Sequence, residues 1–201
     1  MKCFKLAAMV LIITFSLLII SGSSKDSEEG YNSVENSELD SVLMYTLGKD
    51  RAGLFECGMP AEDVEAVSEL YGEVEIVEVD LMREGMSSPV LELTFEHDTS
   101  KTLVLELIES DHSNWIIWRI GIFSDRFSTE EGIGIGSTYE DLENNYLIEG
   151  VFWGESGNPC VVVEAPHMTF ILEQGDWWQM GEVVGEIPGE TEIINILVVG
   201  N

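Results

Sequence analysis

An α+β fold of two tandem modules, each a helix followed by antiparallel strands, is what this 201-residue sequence predicts. Three observations lead there. A proline-started amphipathic stretch at 60–71 precedes four strand-like runs separated by turn compositions. The same order, a helix and then strands, returns after residue 125. The two stretches also match at a nearly constant offset. Gly58, Glu62, Asp63, Val64 and Glu65 meet Gly136, Glu140, Asp141, Leu142 and Glu143 at 78, while Ile120 and Ile122 meet Ile196 and Val198 at 76. We read an internal duplication, whose strands form one continuous or two adjoining antiparallel sheets with the helices on one face.

Residues 1–24 read as a signal peptide. Lys2 and Lys5 form its positive end, Leu6 to Ile20 its apolar run, and "SGSS" supplies small residues for cleavage. Fifteen apolar positions are short for a span of about 20, so an uncleaved anchor is the minor reading. Cys3 precedes the apolar run, which leaves no site for lipid on a processed amino-terminal cysteine. Export places the mature chain outside the cytoplasmic membrane, periplasmic or secreted. Residues 25–40, "KDSEEGYNSVENSELD", form a flexible acidic linker. Module 1 then spans 41–124 and module 2 spans 125–201.

In module 1 the helix is expected over 60–71. Pro60 suits its first position, Glu62 and Asp63 its positive end, and Gly72 its close. Strands follow at "EVEIVEVDLM", "PVLELTFE", "KTLVLELIE" and "WIIWRIGIF", with turns at "REGMSS", "HDTS" and "SDHSN". Links this short favour antiparallel pairing. In module 2 a helix at about 138–146 precedes "GVFWG", "PCVVVEA", "MTFILEQ" and "EIINILVVG".

The glycines of "EGIGIGSTYEDLENNY" (131–146) raise the question of a phosphate loop. No lysine follows them, and Ser137 and Tyr139 stand where a third glycine of GxGxxG would be. The first copy keeps only Gly58. Both copies keep a helix start, with Ser137 and Glu140 as an S-x-x-E capping box and Pro60 in the equivalent place. These glycines steer the chain into a helix.

Charge excludes some functions. With 38 acidic and 9 basic residues the formal charge is −29, and loss of residues 1–24 would leave 7 basic side chains and −31. Such a surface repels nucleic acid and anionic lipid, so contact with membrane is expected only through an uncleaved N-terminal segment. His97, His112 and His167 form no catalytic motif; two of them sit beside aspartates in turns, where aspartate bonds locally. No GxSxG, HExxH or calcium loop is present. We expect no enzyme, cofactor or dedicated metal site. In an oxidising compartment a disulfide between Cys57 and Cys160 is permitted. The alternative is a free Cys57 acting as a small hydrophobe opposite Ile135.

Strand alternation supplies the binding residues. In "NWIIWRIGIF", Ile116, Trp118, Ile120 and Ile122 share one face, and Trp115, Ile117, Arg119 and Phe123 the other. In "LVLELIE", Val104, Glu106 and Ile108 lie opposite Leu103, Leu105 and Leu107. Tryptophan and arginine are frequent at binding hot spots. Either this face is open for a partner, or residues 175–190 fold over it and Trp177 and Trp178 bury it. On the open reading, Trp115→Ala with Arg119→Ala leaves the fold intact and abolishes partner capture.

The segment "GMPAEDVEAVSELYG" (58–72) resembles the helix-start segment of the beta-lactamase-inhibitor-like and BamE-like extracytoplasmic modules, at Gly58, Met59, Glu62, Val64 and Gly72 and more loosely at Gly136 and Leu142. The segment at 126–146 resembles a stretch of uncharacterised exported bacterial proteins. The first resemblance implies tandem modules that bind protein through an open sheet face without catalysis. The expected function is therefore an exported protein-binding, inhibitory or envelope-assembly protein with an unidentified protein partner. The alternatives are an exported carboxylate-dependent hydrolase with a cleft between the modules, or a passive acidic envelope protein.

Overall fold

Among the described residues, thirteen short or long strand segments find partners in the order that their turns allow. The computed structural model describes residues 42–83, 86–110, 114–154, 157–164, 167–179, 181–183 and 185–200. The signal peptide and linker read at 1–40, and His112, lie outside them. The chain first makes a small meander of β1 (Leu47–Gly48), β2 (Arg51–Ala52) and β3 (Phe55–Glu56). Next comes helix α1 (Val64–Ser68), flanked by 3-10 turns at Ala61–Asp63 and Glu69–Tyr71 and closed by Gly72 at φ 94.

The main sheet follows. Its first strands are β4 (Val74–Arg83), β5 (Met86–Phe95), β6 (Leu103–Glu109) and β7 (Trp115–Ile122). After helix α2 (Tyr139–Asn145) come β8 (Ile148–Trp153), β9 (Pro159–Val163) and β10 (Met168–Leu172). A two-stranded ribbon, β11 (Trp178–Gln179) and β12 (Glu182–Val183), precedes the last strand β13 (Ile193–Val199). Eight strands pair, all antiparallel, in the order β4-β5-β6-β7-β13-β10-β9-β8.

This corrects the expected architecture. The molecule is mostly sheet, with 49% strand and 14% helix. Among the described residues it holds one large sheet, and only the seven-residue α2 is a substantial helix; it is not two tandem helix-then-strand modules. The likeness of Ile120 and Ile122 to Ile196 and Val198 has a different cause. Ile122 pairs with Ile196 and Ile120 with Val198 across the central strands. Cross-strand neighbours share a face, so all four are core positions of one sheet. The expected turn at 83–88 is also shorter than read, because the β4–β5 ladder runs on to Arg83 and Met86.

One face of the sheet carries the main core. Leu93, Leu105, Ile120, Phe170 and Ile196 meet Val64 of α1 and Tyr139 and Leu142 of α2 in a single cluster with Phe55 and Phe127. Each such side chain, fully buried, stabilises by about 1.5–3 kcal/mol. The helices are short because each needs only one turn's apolar face to cover this layer.

Helix α2 starts one residue later than the sequence suggested. Thr138, not Ser137, is the N-cap, and Asp141 rather than Glu140 closes the box: Thr138 N donates to Asp141 Oδ2 at 2.8 Å and Asp141 N to Thr138 Oγ1 at 3.3 Å. Ser137 instead accepts from Gly134 N. Those bonds to Thr138, backbone first, hold the Asp141 carboxyl below its usual range. Thr138→Ala is expected to lose about 1 kcal/mol in urea unfolding near neutral pH. A depressed carboxylate stabilises above its unfolded pKa and ceases to as pH falls through its folded value. The gap between parent and variant should therefore narrow in strong acid.

Candidate functional site

A sheet covered on one side usually turns a polar face to water. Here the second face is buried in its middle: Val90, Val104, Glu106, Arg119, Cys160 and Ile171 all lie below one-tenth exposure. Three bulges explain how a sheet can bury both faces. Glu106 pairs with Arg119 but Leu107 pairs with Ile117, so Trp118 is an extra residue on β7. Ile194 is extra on β13, and Glu149 on β8, by the same reasoning. Each bulge bends its strand and raises the local twist.

The result is a concave face around a cavity of about 400 Å³. Leu81, Val90, Val104 and Arg119 line it from β4, β5, β6 and β7. Leu197, Ile171, Cys160 and Trp153 line it from β13, β10, β9 and β8. Laid flat, eight strands at about 4.8 Å spacing would span roughly 34 Å. A cavity this small touches all of them only because the sheet curls, bringing its outer strands toward each other.

Two ion pairs lie in the cavity wall. Arg119 grips Glu106 with two parallel bonds, Nε to Oε1 at 2.9 Å and Nη2 to Oε2 at 2.8 Å. Both side chains are buried, and a bidentate pair of this kind is the geometry that best repays desolvation. The guanidinium carbon also lies 4.7 Å from the centre of the Trp118 ring. Nearer the rim, Lys101 pairs with Glu92 at 3.0 Å and lies 4.8 Å from the Phe123 ring centre. Between the two pairs the wall is largely apolar. One polar atom there stands alone: Asn195 Oδ1 is buried with no hydrogen-bond partner among the described residues. An acceptor left so is destabilising by about 1–3 kcal/mol.

The sequence-predicted binding residues separate. Ile117 is fully buried in the main core with Ile120 and Ile122, not beside Arg119. The Trp118 bulge is the reason, since one inserted residue flips the alternation. Trp115 stands at the strand end, 44% exposed. Arg119 and Phe123 line the cavity. Trp177 is buried in the main core and Trp178 packs against it, donating Nε1 to Gly157 O at 2.9 Å. Residues 175–190 supply none of the cavity's lining among the described residues.

No disulfide joins Cys57 and Cys160. Cys57 sits beside Gly200 and β13, while Cys160 faces the cavity from β9. Burial, with Asp50 nearby, pushes the Cys57 thiol up to about 11. The glycine run at 131–136 already uses its amides. Gly132 N bonds Thr129 O, Gly134 N bonds Ser137 Oγ and Gly136 N bonds Ile193 O, which leaves little for an anion. Asp98 accepts from Thr102 Oγ1 and pairs with Arg126 at 3.1 Å, a structural tie of the β5–β6 turn. Among the described residues no three His, Cys, Asp or Glu are grouped to hold a metal, and no helix is long and apolar enough to cross a membrane.

Glu106 and Asn195 were not singled out as site residues from sequence, and Cys160 was named only for a possible disulfide. Asn195 had a signal: it is the one amide inside the apolar run "IINILVV". No family model matches the chain, and no curated protein matches it. Among solved structures the chain is similar to the crystal structure of the uncharacterized protein YfeY from Escherichia coli. The two share 14% identity with a TM-score of 0.54, over 77% of this chain and 100% of that one. At that identity the likeness is one of fold alone.

Proposed function

We propose that this chain is an exported, non-catalytic binding protein that seats an apolar ligand on the concave face of its sheet. The supporting observation is the largely apolar cavity of about 400 Å³ that every strand of the sheet touches. Its size lies within the range of about 300–1,000 Å³ typical of small-ligand sites. Export rests on the amino-terminal residues 1–24. The hydrolase alternative needs two carboxylates free to exchange protons in one pocket. Both that face this cavity, Glu92 and Glu106, are instead held by Lys101 and Arg119, and this favours binding over catalysis. A protein partner is a second reading, favoured by the exposure of Phe152 and of Trp153, which lines the cavity.

The neutral dye N-phenyl-1-naphthylamine tests the first reading. Its emission should rise on mixing with the folded protein. Val104→Trp, which places an indole in the cavity, should abolish the rise while keeping a cooperative thermal transition. Absence of any rise with the parent protein, or full retention by a folded Val104→Trp variant, would refute it.

A further inference from the structure

The charge and hydrogen-bonding state of the cavity wall restrict the ligand further; this inference rests on the binding reading above. Among the described residues four charged side chains line the cavity and they pair, Glu106 with Arg119 and Glu92 with Lys101. Neither pair leaves a net charge facing the ligand. The chain as a whole carries −29, so an anion entering the cavity works against the field of the protein. A cation would gain from that field outside, but inside it would meet carboxylates already saturated by guanidinium and ammonium.

One group in the wall does ask for a partner. Asn195 lies opposite Ile171 on the neighbouring strand and two residues from Leu197, which shares its face. Its Oδ1 atom is buried and accepts from no group among the described residues. A carbonyl oxygen can only accept, so the group that satisfies it must donate an O–H or N–H. Val104, Ile171 and Leu197 line the same cavity and offer apolar surface.

We propose that the cavity takes a neutral amphiphile, with an alkyl chain or small ring against Val104, Ile171 and Leu197 and a hydroxyl or amide donating to Asn195 Oδ1. A fatty alcohol or a primary amide has this chemistry. A carboxylate lacks the donor, and a quaternary ammonium lacks both donor and neutrality.

Calorimetric titration of the whole chain near pH 8 with four decyl probes tests this. The probes are 1-decanol, decyl methyl ether, decanoate and decyltrimethylammonium. Decanol should bind at least tenfold more tightly than each of the others. Asn195→Leu should bring decanol down to the ether's affinity and leave the ether unchanged. Equal binding of alcohol and ether by the parent protein overturns the donor contact while leaving the binding reading intact. Tighter binding of either ion overturns neutrality, and failure of all four probes overturns both readings. The alcohol-to-ether ratio needs no substitution, so the test holds even if Asn195→Leu does not fold.

Discussion

Arg119→Met should destabilise the fold by about 3–5 kcal/mol, the usual consequence of stranding one member of a buried ion pair. The guanidinium bonds Glu106 twice from within the wall, at 2.8 and 2.9 Å, and removing it takes away the bidentate partner of a buried carboxylate. The double variant Glu106→Leu with Arg119→Met removes the stranded charge as well. It should recover most of the loss, because well-packed apolar replacements of buried pairs are often neutral. Urea unfolding of parent, single and double variants measures this. A single variant within about 1 kcal/mol of the parent would show that the pair is hydrated and exchangeable. For the same reason, and against the expectation drawn from sequence, Trp115→Ala with Arg119→Ala should destabilise the fold rather than leave it unaffected. Trp115 is half-exposed at a strand end, but Arg119 is buried under the curled sheet.

Strand positions were legible because a strand's pattern is local. All eight long runs read from composition became strands of the main sheet within a few residues of their expected ends. Closing Gly72 and the helix at 139–145 were legible for the same reason, since turn and cap chemistry act over four residues. What could not be read was non-local. A bulge such as that at Trp118 depends on the register of β6 against β7, and no single-strand pattern contains it. The face of Ile117 was therefore misassigned. The likeness between "WRIGIF" and "INILVV" was real, but it came from two strands lying side by side. Trp177 was named as a binding residue, with a cover over the second face as the alternative, yet it is buried in the main core. Glu106 was placed on the correct face, and its partner was named, but their pairing required the third dimension. Asn195 carried a visible signal whose meaning depended on what surrounded it.

Gly53→Ala is the other substitution expected to be severe, at about 3 kcal/mol or more. Gly53 has φ +58, and an added Cβ would collide with the Met44 carbonyl and the Tyr71 hydroxyl. Those two groups are bonded to each other: Tyr71 Oη donates to Met44 O at 2.8 Å and accepts from Leu54 N at 2.8 Å. The Tyr71 ring stacks on Phe55 and packs against Phe95 and Tyr45. One methyl group therefore pushes the β1–β3 meander off the cluster that it helps to seal. Tyr71→Phe removes only the hydroxyl and should lose about 1–3 kcal/mol, as two partly buried backbone groups lose their partner. It should also alter the response to alkali. Burial raises the Tyr71 hydroxyl from 10.0 to about 12, so the folded chain keeps its proton after the unfolded chain has released it. Stability from this group is full below pH 10 and falls as pH rises toward 12. Tyr71→Phe lacks that dependence, so the gap between parent and variant should shrink across this window. Denaturant unfolding at pH 8 and pH 11 decides it: an unchanged gap would mean that the hydroxyl is not buried against Met44 and Leu54.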